Sequence, residues 1–181
     1  ILALGMDDTC SGGDAIYQEA MAKLKKRFPF GKERRRSGKY LGKQLNQRAD
    51  GAIEVDQTEF AKNLKLIDVK KERRQHAGQK CNPSEVTALR SAAGNNSYLG
   101  KETRPDIMGP TAILQQVFPE PVVADLIEAN RITRIAKDFA DTKVVVKPIP
   151  PEQVAFLTVP DASLRNLQAE SSQAGWIFMA V

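Results

Sequence analysis

No stretch of this 181-residue chain is apolar for long enough to span a bilayer, since a spanning helix needs about 20 consecutive apolar residues. The apolar opening, residues 1–6, runs into Asp7 and Asp8 too soon to serve as a secretory signal. Cysteine is scarce. Cys10 and Cys81 are too few and too far apart for a disulfide framework, which suits a reducing compartment. His76 is the sole histidine; Cys81 follows five residues on, but no second ligand pair of zinc spacing exists, so His76 reads as solvent-exposed. These absences point to an intracellular protein of the cytoplasm or nucleus with no membrane partner. An initiating methionine is also lacking. The chain begins with Ile1 and reads as a fragment or processed piece.

What is present is ordinary for a soluble chain, with 41% hydrophobic and 27% charged residues, enough for one good core or a division in two. The net charge of +5 conceals an asymmetry. Residues 1–80 hold 18 Lys and Arg against 11 Asp and Glu, a surplus of +7, whereas residues 81–181 hold 9 against 11, a deficit of −2. The surplus is densest at residues 31–43, where Lys32, Arg34, Arg35, Arg36, Lys39 and Lys43 are opposed only by Glu33. Gly31, Gly38 and Gly42 punctuate that run, so it reads as loop and short strand. A phosphate backbone is the natural partner for such a surface, because each neutralised phosphate releases counterions. Lys23 to Arg27, by contrast, reads as the solvated face of a helix.

Asp14 can cap a helix running to about Phe28, with Ile16, Tyr17, Ala20, Met21, Leu24 and Phe28 on one stripe. A strand from Lys39 to Gln47 is expected to turn at Asp50-Gly51 into a second strand, Ala52 to Val55. Asp56 and Glu59 have capping-box spacing before Phe60, Leu64 and Ile67. Residues 70–80 read as a flexible polar loop facing nucleic acid. Ser84 is expected to cap a helix to about Leu99, while Pro105 and Pro121 suit the first turns of two more. Arg104 and Asp106 fit a loop-to-helix ion pair as well as a contact with template. From Lys143 the pattern changes to strands at residues 143–149, 154–159 and 175–181.

Asp7 and Asp8 organise the reading. Strand-compatible residues lead into them and Ser11, Gly12 and Gly13 follow, which places two adjacent carboxylates near a hairpin tip. Two acids can simply solvate a turn, but a cation such as Mg²⁺, which takes carboxylate and phosphate oxygens, would also relieve their repulsion.

Gly5-Met6-Asp7-Asp8, Lys39-Tyr40-Leu41-Gly42, the hairpin of residues 50–57, Leu89-Arg90-Ser91-Ala92-Ala93-Gly94 with Tyr98-Leu99, Thr103-Arg104-Pro105-Asp106-Ile107, and Asp161-Ala162-Ser163 with residues 172–176 occur in one order. In that order they resemble the Pol polyprotein of copia-type LTR retrotransposons, from the reverse transcriptase's catalytic Asp-Asp motif into the start of ribonuclease H. The resemblance implies an α+β fold: a partial polymerase palm with its primer-grip hairpin at 1–55, a helical thumb and connection at 56–142, and the first strands of a ribonuclease H-like sheet at 143–181. It implies catalytic, Mg²⁺-binding roles for Asp7, Asp8 and Asp161. It also implies contact with nucleic acid through Lys32, Arg34, Arg35, Arg36, Lys39, Tyr40, Leu41, Gly42 and Lys43, with an RNA/DNA primer-template and the remaining Pol polyprotein segments as partners.

Four departures accompany the matches: Gly5 replaces an aromatic, Asn95 and Asn96 stand where the family buries apolar residues, Pro160 precedes Asp161, and Leu164 replaces an aromatic. The expected function is a fragment of an RNA-directed DNA polymerase that is inactive alone. The alternative is a non-catalytic nucleic-acid-binding remnant of a decayed transposon.

Overall fold

The apolar spacing of residues 83–138 puts Leu89, Ala92, Ala93, Asn96 and Leu99 on one face of a helix and Val123, Leu126, Ala129, Ile132 and Ala136 on another. In the computed structural model, which describes residues 2–4, 9–163 and 173–180, those two faces meet and form most of the core. The chain is mixed α+β with small antiparallel sheets. It runs β1 (Leu2–Leu4), β2 (Thr9–Ser11), α1 (Ala15–Arg27), β3 (Ser37–Tyr40), β4 (Lys43–Gln47), β5 (Ile53–Asp56), α2 (Thr58–Asn63) and α3 (Lys71–Arg74). It continues with α4 (Pro83–Glu102), a 3-10 turn at Pro105–Ile107, α5 (Met108–Gln115), α6 (Val123–Asp138), β6 (Val144–Val146), β7 (Phe156–Ser163) and β8 (Gln173–Ala180).

The helical layer from α2 to α6 is where burial is deepest. Leu89, Leu99, Leu126 and Ile132 are essentially sealed from solvent, and Leu64 and Val69 of the segment between α2 and α3 close over them. Each fully buried side chain of this size contributes roughly 1.5–3 kcal/mol relative to exposure, so this layer supplies most of the chain's apolar stabilisation. Two polar pairs are built into it. Asn130 donates to the Ile67 carbonyl at 2.8 Å and accepts from the Ile67 amide at 2.7 Å, while Asn96 donates to Thr133 Oγ1 at 3.1 Å. Asn96, polar where an apolar residue is expected, is thus buried with its amide bonded; Asn95 is exposed.

Several local expectations shift. The helix expected to be capped by Ser84 is capped two residues earlier, where Asn82 Oδ1 accepts from the Glu85 amide and the Glu85 carboxylate accepts from the Asn82 amide. The Asp56–Glu59 box does not form; Asp56 instead accepts from the Thr58 amide in a tight turn, and α2 stops at Asn63. Residues 70–80 are not a free loop. Arg73 grips Glu85 with two nitrogens, at 2.9 and 2.8 Å, and bonds the Lys80 carbonyl, while the Val123 and Ala124 amides donate to Gln79 and Ala77. His76 is exposed, as expected.

The strand expected over residues 39–47 is two strands. It folds back at Leu41-Gly42, so β3 pairs antiparallel with β4, and β4 turns at Asp50-Gly51 onto β5. β6 then adds to β5, pairing Val55 with Val144 and Ile53 with Val146, so this sheet crosses the boundary expected at residue 143. β7 and β8 form a separate two-stranded sheet, with Asp161 opposite Gly175. Helix α1, capped by Asp14 as expected, buries no side chain despite its apolar stripe; Ile16 is 77% exposed.

Candidate nucleic-acid interface

The β3–β4 turn is set by backbone geometry. Leu41 and Gly42 both adopt left-handed φ, 47° and 78°, the pattern of a two-residue turn whose twist matches the flanking strands. Glycine tolerates that region freely and leucine does not. The turn is held by Tyr98 of α4, whose hydroxyl donates to the Leu41 carbonyl at 3.1 Å and whose ring stands edge-on to Phe60, centroids 5.1 Å apart. Gly42 is required twice over, because a Cβ there would meet the Tyr98 hydroxyl at 2.5 Å.

This anchoring sorts the expected nucleic-acid residues into two groups. Lys39 and Lys43 flank the turn and are taken by carboxylates, Lys39 by Glu59 and Lys43 by Glu102. Lys43 keeps only 19% side-chain exposure. Ahead of β3 the cations are freer: Lys32, Arg34 and Arg36 are exposed and have no acidic partner among the described residues. Arg35 reaches Glu33 only at 3.4 Å. Glu33 is bonded by Lys25 at 2.5 Å, and that bond, with the two cations' charge, holds its carboxyl below the usual range. Leu41 is half-exposed at the turn and Tyr40 lies in β3.

Two features absent from the sequence reading join this face. Arg48 lies beyond β4 with Asp50 at 3.4 Å and Glu54 at 3.9 Å, and β6 carries in Lys143, whose ammonium bonds Glu54 at 2.9 Å. That bond raises the Lys143 pKa. Lys143 had no local signal, because the β5–β6 pairing joins residues some ninety positions apart.

Asp7 and Asp8 lie outside the described residues; β1 and β2, the strands on either side of them in sequence, pair antiparallel from Leu2 with Ser11 to Leu4 with Thr9. Gly5, Leu164 and Ser172 also lie outside them. Asp161 is exposed in β7. Among the described residues no cluster of three or more His, Cys, Asp or Glu side chains could hold a metal ion. No helix among them is long and apolar enough to cross a membrane.

No family model matches the chain, and no curated protein or solved structure matches it either.

Proposed function

We propose that this chain binds the phosphate backbone of a nucleic-acid duplex along the face formed by residues 32–36 and the β3–β4–β5 sheet, as part of a copia-like reverse transcriptase. The observation that carries the reading is the row of exposed, acid-free cations Lys32, Arg34 and Arg36 entering an antiparallel sheet anchored to the helical layer by Tyr98. Cations already paired to carboxylates release little on binding phosphate, whereas unpaired ones displace counterions directly. In this reading the partner is an RNA/DNA primer-template, and the finer architecture is palm hairpin, thumb and connection, and the opening strands of ribonuclease H. Asp7 and Asp8 would be the polymerase carboxylates for Mg²⁺. Sequence preference is weak, because phosphate contacts position a duplex without reading its bases.

The test is the salt dependence of duplex affinity. Neutralising Arg34, Arg35 and Arg36 to Gln should lower the slope of log K against log salt by about one per lost contact. An unchanged slope would return these arginines to solvated surface. The second reading, a binding remnant without catalysis, is favoured by the departures at Gly5, Asn95, Asn96, Pro160 and Leu164 from the pattern the chain resembles; it predicts duplex binding that Asp7→Asn leaves intact and no primer extension for that substitution to abolish.

A further inference from the structure

Beside this face, Arg36, Gln47, Arg48, Ala49 and Gly51 line a recess of about 120 Å³. We propose that it is a seat for a single phosphoryl group, a free phosphate or the terminal phosphate of a nucleic-acid strand, rather than another stretch of the backbone track. The inference extends the nucleic-acid reading and rests on it only for the origin of the phosphate. Arg36 is held with φ at 63°, a conformation no hairpin turn demands here, while its carbonyl accepts from the Gln47 amide at 2.6 Å. Backbone held in this region has a cost that persists where the surroundings fix it, and here it sets Arg36 against the β4–β5 turn.

The donors are available. Arg36 has no acidic partner among the described residues, and the Gln47 side-chain amide makes no hydrogen bond there. The contacts of Arg48 to Asp50 and Glu54, 3.4 and 3.9 Å, are longer than a committed guanidinium–carboxylate bond of about 2.7–2.9 Å. Glu54 already bonds Lys143 at 2.9 Å. Around the turn Arg36 and Arg48 stand with Asp50 and Glu54, while Lys143 is bonded to Glu54 and lies in the field of Asp56 and Asp141. Pro148 closes one side, its ring carbon 3.6 Å from where a Cβ on Gly51 would lie. Two guanidinium groups at one small, partly open recess suit a compact, doubly charged anion better than one link of a continuous chain.

Inorganic phosphate titrated into the full chain at constant ionic strength should shift the amide resonances of Gln47, Ala49 and Gly51, with chloride producing no such change. Arg36→Gln and Arg48→Gln should each weaken phosphate binding about tenfold, the effect of one charge-assisted hydrogen bond, with the remaining amide spectrum unmoved. A 5′-phosphorylated strand should compete with phosphate and its 5′-hydroxyl counterpart should not; competition by neither assigns the seat to free phosphate. Absence of shifts in the wild-type chain, or wild-type affinity in both variants, overturns the proposal. Phosphate shifts in a chain that binds no duplex would sink the proposed function and leave the recess standing.

Discussion

Arg104 shows what a single residue does for this molecule. Its guanidinium is sealed from solvent, with Nε and Nη2 bonding both oxygens of Asp106 at 2.8 and 2.7 Å and Nη1 donating to the Ala136 and Phe139 carbonyls at 3.1 and 2.7 Å. A cation at the open carbonyls of a helix C-terminus is favourable, and here it ties α6 to the segment after α4. The sequence left ion pair and template contact equally open; the geometry is that of an ion pair with four of the five guanidinium N–H donors used. Asp106 is half-exposed and can rehydrate, so Arg104→Met should cost less than the ~3–5 kcal/mol of a fully buried pair, but it should still lower the urea midpoint because the Ala136 and Phe139 carbonyls lose their donor. Arg104→Lys should recover little, since an ammonium cannot reproduce the fork. Asp106 adds a pH signature. The hydrogen bond from Arg104, then its charge, holds the Asp106 carboxyl below the usual range. Its stabilising contribution is therefore complete above the ordinary carboxylate pKa, about 4, and fades as pH falls through the depressed folded value. Denaturation midpoints of the wild-type chain and Asp106→Asn should converge as pH drops below about 4; a constant gap would show that Asp106 acts without its charge.

At the scale of elements, helices were easier to read than turns. The faces of α4 and α6 follow the 3.6-residue period, and Pro105 opens a helical turn as its missing amide predicts. The cap of α4 was misplaced because Ser84 is a good capping residue in isolation; Asn82 wins because Glu85 lies three residues on and completes the reciprocal pair, with Pro83 between them in the first turn. Asn82→Ala should cost about 1 kcal/mol, and Ser84→Ala should cost less, its hydroxyl bonding only the Asn82 side chain. Equal losses would show that both residues cap. The Leu41-Gly42 turn has no local signal because leucine is a poor turn former; Tyr98, far along the chain, holds its carbonyl. Gly42→Ala should destabilise by about 1–2 kcal/mol from the left-handed backbone alone, and more from the clash with the Tyr98 hydroxyl. Removing that hydroxyl with Tyr98→Phe relieves the clash, so the double mutant should be more stable than the sum of the single losses predicts, read from thermal unfolding. Strict additivity would place the clash elsewhere.

Across the whole molecule, among the described residues the helical layer has a buried core and the β7–β8 sheet buries none of its side chains. Both strands were legible from their β-branched and aromatic residues, but their alternation carries apolar side chains on both faces: Phe156, Trp176 and Phe178 on one, Leu157, Val159, Ile177 and Met179 on the other. Strands of that kind belong inside a layered sheet, and which layers cover them is a long-range fact that no local pattern contains. Here Trp176 is 72% exposed, Phe178 63% and Ile177 57%, with Phe156 stacked on Phe178 at 5.3 Å as the main ring contact available to them. A two-stranded sheet is marginal alone in water, and β8, Gln173–Ala180, has neither proline nor charge to deter pairing along its edge. The purified chain should therefore self-associate as its concentration rises from micromolar towards millimolar, seen as a growing sedimentation coefficient. Phe178→Lys and Ile177→Lys place one charge on opposite faces, so the variant that restores a monomer identifies the face that associates, and restoration by both points to the edge. Charge reduction elsewhere, as in the triple arginine variant, should leave the association in place. A wild-type chain that stays monodisperse throughout that range would mean that the sheet is covered from within the molecule.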